Sequence, residues 1–295
     1  MRMTFSAIQG SLDAINLAAA QFAKAQQQVS SGKRVKAPSD DPTAMQRAIQ
    51  DKSEIGTLDA YSRASDTAAS RLAVIDTVLG TMVDQLIDAT AAATGARGST
   101  VDPASRSAAV VKLAGIRDAL VGGLNSQFRG TYLFGGSEVQ SPPYVSVAGV
   151  WTYQGDTSPV SADIGRNRSV TLALDGQAIA KGSDAADLFA EFDALLTAVQ
   201  AGDSTAIGTG IDALTRAFNR TVQAQSQVGA DERSVDDGQA QLVTLRLAGV
   251  ARLSKDEDAN MAEAMTKMGQ AQIAYQSALA AVGKANQSSL LDYLR

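Results

Sequence analysis

Neither cysteine nor histidine occurs in this 295-residue chain. Their absence excludes disulfides, Cys/His zinc sites, haem ligation by imidazole, thiolate nucleophiles and the Ser-His-Asp triad. Packing alone must hold the fold together. Aromatic residues make up only 5% of the chain and proline occupies only 6 positions. The apolar fraction is rich in alanine instead, which favours helices packed through small side chains. No apolar run reaches the roughly 20 residues that a membrane-spanning helix requires. Gln9, Asp13, Asn16 and Gln21 interrupt the N-terminal apolar positions, so a secretory signal is not expected there. Export, if it occurs, is expected by a route that needs no cleaved signal. A net charge of −5 argues against a nucleic-acid-binding surface. The first 36 residues are locally basic, with Arg2, Lys24, Lys33, Arg34 and Lys36 against Asp13. A solvated helix face followed by a basic loop is favoured there over contact with a membrane or nucleic acid.

What the chain does have is an apolar seven-residue repeat at both ends. Near the N-terminus it runs through Phe5, Ile8, Leu12, Ile15, Ala19, Phe22, Gln26 and Val29. Near the C-terminus it runs through Met261, Met265, Met268, Gln272, Tyr275, Leu279, Val282, Asn286, Ser289 and Tyr293. A period of 3.5 residues keeps a narrow stripe on one side of a helix, and such a stripe seeks a partner helix. The two ends are therefore expected to meet each other or copies of themselves.

Between them the pattern predicts a mainly α fold. Long coiled-coil-like helices from both termini form a rod, with a small β-rich inserted domain. A first helix is expected from Thr4 to Ser31, ended by Gly32. Asp41 then suits the N-cap and Pro42 the first position of a very long helix reaching about Thr94. Its seam steps through Leu58, Tyr61, Ser65, Ala68, Leu72, Ile75, Leu79, Met82 and Leu86. Another helix is expected from Ala104 to about Phe128. From about residue 136 the helical period gives way to β-branched and alternating stretches, with Asp175-Gly176 as a hairpin turn signal. Tyr144, Trp151 and Tyr153 would form the mini-core of this insertion. Helix resumes near Asp184 and again after Gly202-Asp203, and a last helical region begins beyond Gly229. The domain scheme is residues 1–42 and 257–295 as two halves of an inner core, 43–135 and 184–256 as two halves of a helical middle, and 136–183 as the β-rich outer insertion.

Candidate chemistry is sparse. Asp40 and Asp41 read as capping residues rather than metal ligands, and Asp256-Glu257-Asp258 as a solvated patch or joint, since it lacks the spacing and glycine of a calcium loop. Glu191 and Asp193 stand two apart on a helix and point away from each other. No phosphate loop, metal-ligand spacing or nucleophile elbow occurs. No catalytic, cofactor or metal site is expected.

The stretch Val29-Ser30-Ser31-Gly32-Lys33-Arg34-Val35, followed by Pro38-Ser39-Asp40-Asp41-Pro42, resembles the N-terminal signature of the bacterial flagellin-like proteins. Tyr132-Leu133-Phe134-Gly135-Gly136, with Pro142-Pro143-Tyr144, is similar to the segment leading into the outer domain of the hook-associated members of that family. The C-terminal stretches Ala274-Tyr275-Gln276 and Leu290 to Leu294 are similar to theirs as well. The resemblance implies an axial structural protein of the flagellum at the junction of hook and filament. It also implies export through the flagellar channel, and partners comprising copies of itself, flagellin, a neighbouring hook-associated protein and an export chaperone, with neither nucleic acid nor membrane. The assembly interface is then expected on Phe5, Ile8, Leu12, Ile15, Phe22, Val29, Met261, Met265, Met268, Tyr275, Leu279 and Val282. Filament flagellin, or an unrelated coiled-coil scaffold or adaptor, are the alternatives.

Overall fold

The computed structural model describes residues 5–98 and 101–293, and the side chains of these save residues 5–8, 11 and 285–293. Helix dominates: α1 (Phe5–Ser31), α2 (Pro42–Ala96), α3 (Pro103–Leu124), α4 (Gly176–Ala180), α5 (Leu188–Ala201), α6 (Ser204–Glu257) and α7 (Met261–Tyr293). Six short strands lie between α3 and α4: β1 (Gln127–Phe128), β2 (Thr131–Tyr132), β3 (Tyr144–Val147), β4 (Val150–Tyr153), β5 (Val160–Gly165) and β6 (Arg168–Ala173). They pair as three antiparallel hairpins, β1 with β2, β3 with β4 and β5 with β6. The chain divides into two compact units, Met1–Thr57 with Leu245–Arg295, and Leu58–Thr244.

In the terminal unit, α1 packs antiparallel on α7. Phe22 stacks on Tyr275 with ring centroids 6.4 Å apart, and Ala25 and Gln28 face Lys267 and Ala271 across a polar cleft. Gly32 ends α1 because its φ of +69° is the left-handed conformation that reverses a chain at a helix end. The turn that follows is held internally by Asp40, which accepts from the Lys36 and Ala37 amides at 3.2 Å each. Asp41 accepts from Ala44 N at 3.0 Å, so the expected N-cap of α2 is present, with Pro42 at its first position. Ala44 and Ala48 are fully buried. Gly249 of α6 lies where a Cβ would come 3.1 Å from Ile55 of α2, so these helices approach closely through small residues.

In the second unit, one continuous core joins Leu72, Ile75, Leu79, Met82 and Leu86 of α2 with Leu113, Leu120 and Leu124 of α3. Phe189, Phe192 and Leu195 of α5 and Ile207, Leu214, Val228 and Val235 of α6 complete it. Tyr144 belongs to this same core, edge-on to Phe189 at 4.9 Å and tilted against Tyr153 at 5.3 Å. The three insertion aromatics thus do not make a mini-core of their own. Only Tyr144 is fully buried, and Trp151 and Tyr153 pack against the helical core from its edge.

Several boundaries differ from expectation for identifiable reasons. α3 stops at Leu124, and Gln127–Phe128 opens a hairpin whose turn residues Arg129 and Gly130 have φ of 50° and 81°. Asp175-Gly176 is no hairpin turn: Asp175 caps α4 by accepting from Gln177 N at 2.8 Å. The turn that was missed is Arg166-Asn167, with Asn167 at φ 62°, between β5 and β6. α5 begins at Leu188, four residues after Asp184, because Asp187 caps it. α6 runs unbroken through Gly229 and ends at Glu257, so the Asp256-Glu257-Asp258 run marks a joint between α6 and α7 rather than lying inside one helix.

Candidate assembly surface

The terminal repeats do come together, but not as a single stripe. On α1, Ile15, Ala19, Phe22 and Val29 are half-buried, whereas Leu12 is 50% exposed and Gln26 is exposed. The best-buried residue there is Ala25, which the repeat skips. Phe5, Ile8, Asn286, Ser289 and Tyr293 lie outside the described side chains. On α7, Met268, Tyr275 and Val282 are half-buried with Ala271 and Ala278, and Ala264 is buried. Met261, Met265 and Leu279 remain open, Met265 at 55% and Leu279 at 44%. Gln272 is exposed too.

Helical geometry explains the split. At 100° per residue, the inward set 264, 268, 271, 275, 278 and 282 and the set 261, 265, 272 and 279 are centred roughly 75° apart. The inward set contains alanines, which let α1 approach closely. The other set carries large apolar side chains and is left on the flank. A seam scored by bulk runs along the edge between the two and picks members of both. Beyond that flank, Ile273 is also exposed. This pair therefore uses one stripe for itself and presents a second.

The remaining sequence-predicted residues are structural neighbours of this pair or lie in the second unit. Asp40 pairs with Lys24 of α1 at 2.9 Å. That ammonium, with the amides of Lys36 and Ala37, pulls the Asp40 carboxyl down to about 2. Asp41 is likewise lowered by the Ala44 amide and Arg34, and Pro38 and Ser39 are exposed in the turn. In the second unit, Leu133 and Phe134 are fully buried and Tyr132 is half-buried. Gly135 accepts from Asp156 N at 3.1 Å. Gly136 has φ +64°, and a Cβ there would collide with the Asp156 carbonyl, so this segment needs its two glycines.

Most of the carboxylates that could have suggested chemistry are engaged. Asp193 is ion-paired with Arg117, Asp256 takes a bidentate pair from Arg47 at 2.9 and 3.0 Å, and Asp258 accepts from Ser254 at 2.6 Å. Among the described residues no group of three or more Asp, Glu, His or Cys is placed to hold a metal ion, and no helix is long and apolar enough to cross a membrane.

The pattern of the bacterial flagellin N-terminal helical region matches residues 5–138, and that of the flagellin C-terminal helical region matches residues 211–294. The chain belongs to the bacterial flagellin family. Within that family it is similar to flagellar hook-associated protein 3 of Salmonella typhimurium, with 27% identity over 161 residues, or 54% of this chain and 50% of that protein. The Escherichia coli protein of the same name is 26% identical over the same shares. The chain thus spans about half the length of the curated relatives it matches. The flagellin-family fold recurs in a hook-associated protein from Vibrio parahaemolyticus, with a TM-score of 0.69 at 15% identity over 74% of this chain and 100% of that one. It recurs also in hook-associated protein 3 from Legionella pneumophila, with a TM-score of 0.65 at 11% identity over 70% and 98%. At these identities the likeness is one of fold.

Proposed function

We propose that the chain is a structural component of the bacterial flagellum, placed outside the cell at the junction between hook and filament, and that it assembles through α1 and α7. The observation that carries this reading is the second stripe. The terminal helices satisfy each other through alanine, Phe22 and Tyr275, yet leave Leu12, Met261, Met265 and Leu279 uncovered. Burying a large apolar side chain is worth roughly 1.5–3 kcal/mol, so copies of the chain, flagellin or a neighbouring hook-associated protein would gain by covering it. An export chaperone would shield the same stripe before assembly. The similarity to proteins named hook-associated protein 3 supports the junction over the filament. In the domain scheme that accompanies this reading, residues 1–42 and 257–295 form the inner core, 43–135 and 184–256 the helical middle, and 136–183 the outward domain.

Leu279→Asp is the direct test. The side chain is 44% exposed in the subunit and lies on the flank of the α1–α7 contact, so the variant should fold with little change in melting temperature while a charge blocks the assembled contact. Antibody labelling of isolated flagella should then lose the band at the hook–filament boundary, and motility should fail. Normal incorporation would remove the stripe from the interface. Purified chain added to filament fragments should deposit a thin layer and stop; continued elongation would assign it to the filament instead.

A further inference from the structure

Where the terminal helix pair joins the rest of its unit, the backbone makes an isolated antiparallel bridge between Lys33 and Asp258. Arg34 N and Val35 N donate to the Glu257 carbonyl at 2.8 and 3.3 Å, and Ala259 N donates to the Gly32 carbonyl at 2.8 Å. A bridge with no ladder on either side lacks the cooperative support of a sheet, so something else must keep the turn Gly32–Val35 against the α6–α7 joint.

Arg34 contributes by donating from its guanidinium to the Asp256 carbonyl at 2.8 Å, and Val35 by its buried side chain; the buried charges of the contact form an ionic centre. Glu257 is only 5% exposed. Lys52 of α2 donates to its Oε1 at 2.8 Å, and the Lys33 ammonium of the turn lies 3.0 Å from Oε2. A buried carboxylate is costly unless paired, and here its two partners come from two different elements. Drawing the turn away from α6 would strip one of them. Burial pushes the Glu257 pKa up, but the two lysines outweigh it and the net shift is downward. The other carboxylates around the joint are less deeply buried than Glu257: Asp256 with Arg47, Asp41 with Arg34, Asp258 3.8 Å from Lys33, and Asp51 and Glu54 with Arg252. Solvent screens such pairs, which makes each of them weak.

We propose that Glu257 is an electrostatic lock at the root of the terminal helix pair. While its carboxylate is charged, the turn after α1 is fixed to the α6–α7 joint. With the charge removed, the bridge opens and α1 and α7 loosen from α2 and α6, while residues 58–244 keep their fold. This device does not depend on what the exposed stripe binds.

Amide hydrogen exchange reads the bridge directly. In Glu257→Gln, which keeps the shape and removes the charge, the amides of Arg34, Val35 and Ala259 should exchange at least tenfold faster than in the unaltered chain. Those of Leu79 and Leu120 should not change. Lys52→Gln, on a half-exposed side chain, should accelerate the same three amides about threefold or more. Unchanged protection at the bridge in either variant overturns the proposal. So does a loss of protection in Glu257→Gln that extends equally to Leu79 and Leu120, because Glu257 would then be a general support of the fold.

Discussion

At the scale of the residue, the least legible contributors are charged side chains that act on backbone. Arg71, on the long second helix, reads in the sequence as one more solvated cation. It is in fact buried, and its guanidinium donates to the Leu172 and Tyr132 carbonyls and to Thr131 Oγ1. Among the described residues no carboxylate is paired with it, and burial lowers its pKa. One side chain thereby fastens the β1–β2 and β5–β6 hairpins to α2. Arg71→Met would leave those acceptors unsatisfied at about 1–3 kcal/mol for a buried polar group. Urea unfolding of this variant, followed by Trp151 fluorescence, should show a correspondingly lower midpoint. Arg220 does the same for α4, donating to Ile179 O and Ala180 O at 2.9 Å each while pairing with Asp184. By contrast the caps were legible: Asp41-Pro42 announces a helix start because an accepting carboxylate and a ring without an N–H suit those two positions.

At the scale of the element, periodicity located the long helices, and the β-branched and alternating stretches after residue 136 coincide with β3, β4 and β6. Heptads over α2 agree with its burial from Leu58 to Ala93, because Leu72, Ile75, Leu79, Met82 and Leu86 share one inward stripe with the small residues Ser65, Ala68, Ala89 and Ala93. On α7 bulk and burial diverge, since alanines take half of the inward positions while Met261, Met265 and Leu279 stay on the flank. β5 carries the weakest strand signal, since Val160, Ser161, Ala162 and Asp163 have little β-branched or aromatic character beyond the first. α6 survives Gly229, although an interior glycine costs about 1 kcal/mol against alanine, because packing on both sides of it supplies more. The middle of α6 also carries a charge conflict. Desolvation, Asp76 and Asp236 raise the pKa of Glu232, and desolvation raises that of Asp231. A raised carboxyl pKa means that stability is gained as pH falls through it and lost as pH rises. Glu232→Gln should therefore stabilise the second unit at pH 7, by less than about 1 kcal/mol given its exposure, and flatten the pH dependence of its melting temperature between pH 7 and 4. A lower melting temperature at pH 7 would contradict this.

At the scale of the whole molecule, acid should act unequally on the two units. Asp40, Asp41, Asp256 and Glu257 all have folded pKa values below their ordinary ones, and all belong to the terminal unit. Their contribution is complete above roughly pH 4.5, the ordinary carboxylate range, and disappears as pH falls toward the folded values, about 2 for Asp40. Glu257, as the buried member, should dominate. In the other unit Asp102, Asp156 and Asp184 follow the same sign, but none of them is buried as Glu257 is, and Asp231 and Glu232 oppose it. Pepsin at pH 3 should therefore cut first within the terminal segments and leave a resistant fragment close to residues 58–244. Digestion at equal rates in both units would refute that order. Family, helical class and paired termini were all readable from the chain, because they are written as repeats and short motifs. The ion pairing of Glu257 at the joint was not, because it depends on two lysines more than 200 residues away in sequence.

Asn125, just past α3, donates from Nδ2 to Tyr144 O and accepts from Tyr144 N, each at 2.8 Å. Its amide thus stands where the backbone of a neighbouring strand would stand. The consequence concerns crowding: at high concentration the hairpins of neighbouring molecules can recruit one another into a growing sheet, and an edge already occupied at its start offers no first rung. Asn125→Ala would uncover that rung. Light scattering at high concentration should report irregular aggregates where the unaltered chain stays clear.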